Sequence, residues 1–555
     1  MRNCHEQNGC DLMLKTICNN FLLVTVAFLL SACNNIDDTN HPGVAEALTP
    51  EFGDTFIEAS IGDASTLLPV LASDSASSSI NSLIYRGLVR YDKNLQIEGE
   101  LAESWDISAD NLTITFHLRK GVTWHDGAPF TSADVKFNYQ LYVDPKTPTA
   151  YAESFRQVTG VETPDPYTFV VHYDKPYAPA LMSWATSVHP KHLLQGKDVT
   201  KSDLARNPIG TGPYRFSEWL GGEKIVLEAN PDYFEGQPYI KRIVYRIIPD
   251  ISTQFLELQT GSLDFMGLSP LQFDRQTDTP AFRRLYEKYR YLSFGYTYLG
   301  YNLNRPLFQD KRVRQALSYA INKQELIDGV LLGYGKAATG PYKPDTWVYN
   351  SDVAKYSYDP DKARQLLADA GWQDTDGNGI LDKAGNEFSF TIVTNQGNDL
   401  RSKTGEIIQR RFKEVGVDVK LRIIEWATFL KEFINPNNFD ATLLGWSGGP
   451  EPDQYNIWHS SKTAPGELNF IGFKNDEVDR LLEEGRRVFD QQKRKIYYDR
   501  FQEILAEEQP YTFLYVGESL PAVSKRFRGV EAAPAGIRYN FNQWYVPLAE
   551  QKYSR

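Results

Sequence analysis

The chain has 555 residues and a net charge of −12 at pH 7, with 41% hydrophobic and 23% charged residues. Because a single hydrophobic core rarely serves more than about 300 residues, this length predicts two or more lobes. The negative charge argues against a phosphate-backbone partner, so we expect no nucleic-acid binding. Aromatic residues make up 13% of the chain, which suits either a ligand site or a large core.

The N-terminal 50 residues are typical of an exported lipoprotein. The apolar run Phe21–Leu30 follows Lys15 and is too short to span a bilayer, as in a signal peptide covering residues 1–33. It leads into Leu30-Ser31-Ala32-Cys33, which resembles the bacterial lipobox, and this resemblance implies lipidation of Cys33 and a membrane anchor. Polar residues 34–50 then predict a flexible tether.

The cysteines restrict how the body of the protein is stabilised. All four lie in the leader, at Cys4, Cys10, Cys18 and Cys33, so no disulfide can cross-link the body. The alternative for Cys33 is a buried thiol after an ordinary signal peptide. Residues 1–12 are unlike the start of a leader, and Met13 is a second candidate for the initiator.

From Phe56 onward, short strands alternate with helices, which predicts α/β lobes. Leu112–Leu118 alternates apolar and polar side chains as a half-buried strand does, and Thr131 can cap a helix that has Asp134 in its first turn. Further helices are predicted over 312–321, from Asn322 to near Gly333, over 360–370, and over 402–415, 476–489 and 491–508.

The segment 388–446 is predicted to form part of a doubly wound lobe. A strand in "FSFTIVTN", the helix over 402–415, Gly416 and a strand in "VDVKLRII" make a strand-helix-strand unit. The run "DATLLGW" supplies another strand.

Asp374, Asp376, Asn378 and Asp382 alternate with other residues around glycines, as in a calcium loop. An EF-hand needs a bidentate Glu at its twelfth position and a helix on each side. The twelfth residue here is Gly385 and a strand is predicted to follow, whereas Asp-Gly and Asn-Gly are also preferred in tight turns. We expect a structural turn; weak calcium binding is the alternative.

Gly445-Trp446-Ser447-Gly448-Gly449 matches the nucleophile elbow of hydrolases. An elbow requires a helix that starts at the Ser and a His later in the chain, but "GGPEPDQ" follows and the downstream His459 is close in sequence. His189 and His192 flank Pro190 without a carboxylate nearby, so no metal site is predicted. We expect no enzymatic activity and no cofactor; a hydrolase using Ser447 is the alternative from another class.

One stretch is highly specific: "GLVRYDKNLQIEGELAESWDISADNLTITFHLRKGVTWHDGAPFTSADVKFNY", from Gly87 to Tyr139. It resembles the signature region of the family 5 extracytoplasmic solute-binding proteins of peptide and nickel ABC importers. The resemblance continues through "PIGTGPYRF", "YLGYNLNRPLFQDKRVRQALSYAINKQELI", "YDPDKARQLLADAGW" and "NFDATLLGWSGGPEPDQY", and covers about residues 56–547.

The resemblance implies a two-lobed periplasmic-binding-protein-like fold that closes on its ligand like a clamshell. The N-terminal lobe would comprise 51–293 and 516–555, with an extra subdomain at about 87–207, and the C-terminal lobe 294–515. It implies a monomeric receptor outside the cytoplasmic membrane, in the periplasm or at the cell surface, that delivers peptides to an ABC permease.

In dipeptide-binding relatives, an Asp shortly after the Gly-Trp pair of the second lobe binds the α-ammonium of the peptide. Gly449 occupies that place here, with Glu451 and Asp453 as possible substitutes. Strict dipeptide binding is therefore disfavoured, because a buried ammonium needs a partner, and longer peptides are favoured. An oligosaccharide or a metal chelate is the alternative ligand.

The expected ligand contacts come mainly from the second lobe. The candidates, beyond Glu451 and Asp453, are Tyr85 of the first lobe and Asn395, Gln396, Arg401, Trp426, Trp446, Gly448, Gly449 and Tyr455 of the second.

Overall fold

The computed structural model describes residues 49–553. The expected signal peptide, the lipidation site Cys33 and most of the tether lie outside the described residues. Within the described part of the chain, every helix is too short or too polar to cross a membrane.

The first of two large sheets has seven strands of mixed direction. Gly53–Ser60 is central and runs parallel to both of its neighbours. From edge to edge, the strands are Tyr286–Lys288, Pro521–Ser524, Phe265–Gly267, Gly53–Ser60, Ile240–Ile247, Lys224–Ala229 and Tyr214–Leu220.

The second sheet also has seven strands. Ser389–Asn395 runs parallel to both of its neighbours, Asp418–Ile424 and Ala441–Trp446, which confirms the predicted strand-helix-strand unit. From edge to edge, the strands are Tyr291–Leu292, Tyr511–Ser519, Tyr296–Tyr301, Ala441–Trp446, Ser389–Asn395 and Asp418–Ile424, with Gly335–Ala337 paired to Tyr511–Ser519.

The chain passes between the two sheets twice. It leaves the first sheet after Lys288 and enters the second at Tyr291, and it returns between Ser519 and Pro521. We call residues 53–288 together with 521–553 the first lobe, and residues 291–519 the second lobe. The sequence-based boundaries at 293/294 and 515/516 lie a few residues from these crossings.

A smaller antiparallel sheet extends the first lobe. Its strands, in order, are Ala102–Ile107, Thr113–Leu118, Thr168–Tyr173 and Val158–Asp165. Helix Ser132–Val143 packs against it, and its start carries the expected capping box between Thr131 and Asp134. A separate hydrophobic cluster that includes Trp124, Phe116 and Trp184 forms its core. The hairpin Val89–Tyr91 and Ile97–Gly99 leads into this subdomain.

The remaining helices are distributed over both lobes. Those of the first lobe are Ser75–Ile84, Ala180–Ser183, Lys191–Leu194, Ile251–Gln259 and Pro280–Leu285. Those of the second are Lys311–Tyr319, Lys323–Gly329, Pro360–Asp369, Asp399–Lys413, Trp426–Phe429, Tyr455–Trp458, Asp476–Gly485 and Gln491–Glu508.

The helix starts confirm the sequence-based prediction, because the capping side chains are in place. Asp310, Asn322 and Asp359 each accept a backbone hydrogen bond from the first turn of the helix that follows. Several bounds differ: the helix after Asn322 stops at Gly329, and the helix that begins at Asp476 stops at Gly485 rather than near 489. The helices predicted over 312–321 and 402–415 span Lys311–Tyr319 and Asp399–Lys413.

Candidate ligand-binding cavity

A cavity of about 980 Å³ lies between the two lobes. Several of its walls are the carboxyl ends of strands: Ser60 in the first lobe, and Asn395 and Trp446 in the second. Ligand sites of open α/β sheets form at these ends, because the loops that follow the strands leave a crevice there. The fold therefore builds this cavity from both sheets at once.

The lobes contact each other around the cavity. Gly62 of the first lobe lies so close to Trp426 of the second that an added Cβ would be 2.9 Å from the indole Cδ1. At another contact, Glu153 Oε1 of the first lobe lies 3.2 Å from Arg486 Nη1 of the second. The N–H of Ala178 also donates to the carbonyl oxygen of Arg486 at 2.6 Å. The clamshell is thus closed in this structure.

Five of the residues predicted from the sequence line the cavity. These residues are Asn395, Arg401, Trp426, Trp446 and Asp453. The Trp446 ring stacks on Phe470 at a centroid distance of 5.7 Å, and its Nε1 donates to Tyr511 Oη at 3.3 Å. The second lobe thus presents two indoles and one guanidinium to the cavity.

Arg401 is the cation of the cavity wall. Its Nη1 donates to Asn395 Oδ1 at 2.7 Å, and among the described residues no carboxylate forms an ion pair with it. Burial lowers the pKa of its guanidinium, only partly offset by Tyr515 and Tyr298. Because a buried guanidinium has five donors and no acceptor, a carboxylate of a ligand is its natural partner.

Tyr85 does not line the cavity. Its side chain is fully buried in the core of the first sheet and tilts against His189 at a centroid distance of 5.6 Å. Burial raises the pKa of its hydroxyl, which has no hydrogen-bond partner within residues 49–553. The sequence alone could not distinguish an aromatic ring of the core from one that lines the cavity.

Glu451 is held by an ion pair and does not line the cavity. Its Oε1 lies 2.5 Å from Arg494 Nη2. Burial raises the pKa of Glu451, and Arg494 opposes that shift. Asp453 does line the cavity, yet Arg486 binds both of its oxygens, at 3.0 and 2.7 Å. Neither substitute for the expected ammonium partner is therefore a free carboxylate.

Four further predicted residues lie outside the cavity lining. Gln396 is exposed at the end of its strand, and Tyr455 is buried under Arg486, whose Cζ lies 3.8 Å from the ring centroid. Gly448 and Gly449 are exposed. A Cβ at Gly448 would come within 2.6 Å of the Phe294 carbonyl oxygen, so this glycine allows a close backbone approach.

Within residues 49–553, several polar atoms of the cavity-lining residues are buried without a hydrogen-bond partner. They are Tyr296 Oη, Trp426 Nε1, Gln454 Oε1, Asn456 Oδ1 and Glu467 Oε2. Because buried polar groups in native structures are usually paired, these atoms are candidates for contact with a ligand or with ordered water. Except for Trp426, these residues were not among the candidates predicted from the sequence.

The hydrolase geometry is absent around Ser447. No helix begins there: the next one after strand Ala441–Trp446 is Tyr455–Trp458. The ring of His459 stacks on Tyr455 at a centroid distance of 3.9 Å, and its Nδ1 lies 2.8 Å from Ser461 Oγ. The His that an elbow needs is therefore engaged elsewhere.

The loop at 374–385 forms a turn that its own side chains cap. Asp374 accepts from the N–H groups of Gly377 and Gly379, and Asp382 accepts from Thr375. Within residues 49–553, no group of three or more His, Cys, Asp or Glu side chains is arranged to hold a metal ion. This geometry agrees with the expected structural turn.

The fold and the cavity together define a two-lobed protein with a cavity between its lobes, the architecture of a solute-binding protein. The chain belongs to the bacterial extracellular solute-binding proteins of family 5, since residues 96–467 match the model described as "Bacterial extracellular solute-binding proteins, family 5 Middle".

Individual relatives agree with this assignment. The chain is 35% identical over 538 residues to the oligopeptide-binding protein AppA of Bacillus subtilis strain 168, covering 95% of this chain and 97% of the relative. The structure of B. subtilis AppA in complex with a nonapeptide aligns with a TM-score of 0.86 at 34% identity, covering 90% of this chain and 100% of that one. NikZ of Campylobacter jejuni, in complex with Ni(L-His), aligns with a TM-score of 0.81 at 28% identity, covering 89% and 99%.

Proposed function

We propose that this protein is the substrate-binding component of an ABC importer, and that it captures oligopeptides outside the cytoplasmic membrane. The observation that carries the proposal is the interlobe cavity of about 980 Å³, whose lining residues include donors and acceptors without a partner in the described part of the chain. A peptide backbone supplies both kinds of group along its whole length, so one extended chain can satisfy them together. The similarity to a nonapeptide-binding relative supports the same ligand class.

The size and charge of the cavity favour a peptide over smaller cargo. Its volume reaches the upper end of the range of about 300–1,000 Å³ that small-molecule sites occupy. Arg401 supports binding of a carboxylate, such as the C-terminus or an acidic side chain of the cargo. Trp426 and Trp446 supply flat apolar surface for side chains of varied shape.

The delivery step follows from the closed lobes. The ligand is buried when the first and second lobes meet, and a permease that recognises the closed form would receive only loaded protein. We propose that Cys33 carries a lipid that holds the protein at the membrane, and that the protein acts as a monomer. Cys33→Ser is expected to move the protein from the membrane fraction to the soluble fraction.

Tryptophan fluorescence provides the test of peptide binding, because two indoles line the cavity. The purified protein is titrated with a pool of synthetic nonapeptides, in carboxylate and in amidated form. We expect saturable quenching or a spectral shift, with tighter binding of the carboxylate form.

Arg401→Met is expected to remove the preference for the carboxylate form. Arg410→Met is the matched control, because Arg410 lies on the same helix, is exposed and pairs with Glu325. Saturation by an oligosaccharide or a metal chelate, with no response to any peptide, would contradict the peptide assignment.

A further inference from the structure

Aromatic and aliphatic side chains gather where the described part of the chain begins. Phe52 is 56% exposed, and the centroid of its ring lies 4.9 Å from that of Tyr239, which lies 6.0 Å from that of Tyr545. Gln551 Nε2 donates to the carbonyl oxygen of Phe52 at 3.5 Å, and this contact places the turn Leu548–Glu550 beside Phe52. Segments from both ends of the first lobe therefore meet here.

The large apolar side chains at this place are exposed. Leu548 is 67% exposed, and Tyr553, whose N–H donates to Asp54 Oδ1 at 3.1 Å, is 42% exposed. With Phe52, they make three of the eleven exposed large hydrophobic side chains among residues 49–553, and we call these three the terminal patch. Single exposed apolar side chains are ordinary, whereas a group of them in one place marks an interaction surface.

The terminal patch lies at the end of the first sheet that is remote from the cavity. The strands Gly53–Ser60 and Ile240–Ile247 run parallel, and Phe52 and Tyr239 directly precede them. Ser60, at the other end of the first strand, lines the cavity, and eight extended residues span about 25 Å. A partner that binds the terminal patch therefore leaves the cavity free.

Exposed charges of both signs surround the terminal patch. They are Lys241, Lys552 and Glu51, together with the paired groups Arg242–Glu228 and Arg528–Glu550. Because the signs are mixed, apolar contact rather than charge decides which partner fits. The interface of a lipid bilayer is such a partner, since aromatic and aliphatic side chains enter it while neighbouring lysines extend their ammonium groups into the headgroups.

The place of the terminal patch in the chain brings it close to the expected lipid anchor. Residues 34–48 lie between Cys33 and the first described residue, Thr49, and a chain of that length reaches at most about 55 Å. Phe52 follows three residues later. A lipid on Cys33 would keep the patch at high effective concentration beside the bilayer, so even a contact too weak to recruit free protein would form.

We propose that the terminal patch rests on the lipid surface of the membrane that holds the anchor, with the cavity end of the first sheet pointing away from the lipid. The inference rests on the proposed function, because the lipid on Cys33 supplies the proximity. In this orientation the protein collects cargo from the surrounding medium. It releases the patch before the cavity turns towards the membrane and a permease.

The test measures which side chain contacts lipid when the full, lipid-bearing protein is bound to phosphatidylcholine vesicles. Residues 49–555 contain no cysteine, so Leu548→Cys introduces a single thiol into the body for a fluorescent label, and the unsubstituted protein gives the background. Ile496→Cys is the matched control, because Ile496 is 68% exposed and lies on helix Gln491–Glu508 of the second lobe.

Doxyl groups on the acyl chains of the vesicle quench a label that enters the bilayer. We expect about fivefold stronger quenching at position 548 than at position 496, because interfacial side chains lie about 5–10 Å into the boundary between headgroups and acyl chains.

Phe52→Asp is expected to lower the quenching at position 548 to the level of the control position, because it places a carboxylate in the terminal patch. Peptide affinity is expected to stay unchanged, since the cavity lies at the other end of the strand. Phe489→Asp is the matched control: Phe489 is 46% exposed in the second lobe, and its substitution is expected to leave the quenching as it is.

Equal quenching at positions 548 and 496 in vesicle-bound protein would overturn membrane contact by the terminal patch and leave the lipid anchor intact. Protein that does not bind the vesicles would overturn lipidation of Cys33 and this inference together. Peptide binding is measured separately, by the tryptophan titration, and does not depend on either result.

Discussion

Glu153→Gln tests whether the contact between the lobes stabilises the closed state. The side chain of Glu153 is 6% exposed and reaches Arg486 and Lys462 across the lobe boundary, but Glu153 does not line the cavity. Glutamine keeps the size of the side chain and removes the charge. The substitution therefore changes closure without removing a cargo contact.

The expected loss of closure free energy depends on the carboxylates with which Arg486 and Lys462 remain paired. Removing one member of a buried pair costs about 3–5 kcal/mol when it leaves an unpaired charge. Arg486 keeps Asp453 and Lys462 keeps Glu467, so we expect the smaller loss of a charge-assisted hydrogen bond, about 1.5–3 kcal/mol. If the free protein is mainly open, that loss appears in full as a roughly 10- to 150-fold rise in Kd.

The assay combines peptide titration with small-angle X-ray scattering of the loaded and unloaded protein. Glu162→Gln is the control, since this carboxylate belongs to the same subdomain, is 63% exposed and contacts His172 rather than the second lobe. We expect Glu153→Gln to bind more weakly and to have a larger radius of gyration at subsaturating peptide. A Kd within twofold of the wild-type value, with unchanged scattering, would show that the Glu153 contact does not stabilise the closed state.

Three further predictions concern closure, the core and pH. Gly62→Val places a side chain against Trp426, so we expect at least tenfold weaker peptide binding with an unchanged Tm; unchanged affinity would contradict the close approach of the lobes. Tyr85→Phe removes a buried hydroxyl that has no partner within residues 49–553. We expect unchanged peptide affinity and a free energy of unfolding that stays the same or rises by about 1 kcal/mol; weaker peptide binding would place Tyr85 in the site after all. Burial lowers the pKa of His125 to about 4 and of His189 to about 3, below the unfolded value of about 6.5. Below pH 6.5 the unfolded state therefore binds more protons than the folded state. Each imidazole is expected to lower the free energy of unfolding by up to about 1.4 kcal/mol per pH unit, which denaturant unfolding at pH 7 and pH 5 measures. An imidazole pKa above 6 in the folded protein, measured by NMR, would contradict this prediction.

Local signals in the sequence predicted the elements of the fold well, because the responsible groups are neighbours along the chain. Asp359 and Pro360 start a helix, and Gly371 lies just beyond its end with a φ of +87°. The strand-helix-strand unit ending in Asp418–Ile424 follows from hydrophobic periodicity alone. The resemblance to family 5 added the two-lobed arrangement, which periodicity could not supply.

The cavity was harder to predict, because its walls come from segments far apart in the chain. Asn395 and Trp446 end strands of the second sheet, and Arg401 and Trp426 follow strands, so these four candidates lie close to strand ends that local sequence patterns predict. Glu467 carries no motif and becomes notable only once one of its oxygens is seen to be buried and unpartnered.

Ion pairing explains why neither carboxylate expected to bind the ammonium of a peptide is free to do so. Glu451 and Asp453 were candidates because of their spacing from Trp446, but their partners Arg494 and Arg486 lie more than 30 residues later in the chain. No rule of sequence spacing reveals that a distant guanidinium already neutralises a carboxylate. The same holds for Glu153, which pairs with Arg486 and Lys462 of the other lobe as well as with Arg156 of its own.

Native mass spectrometry of the purified protein, prepared without ligand stripping, tests the central claim that the interlobe cavity holds peptides. Any molecule released from the protein is fragmented and identified. We expect a heterogeneous set of peptides several residues long, all released when the protein unfolds. A single sugar or metal chelate in their place, or empty protein that gains no mass from a nonapeptide pool, would contradict peptide binding in this cavity.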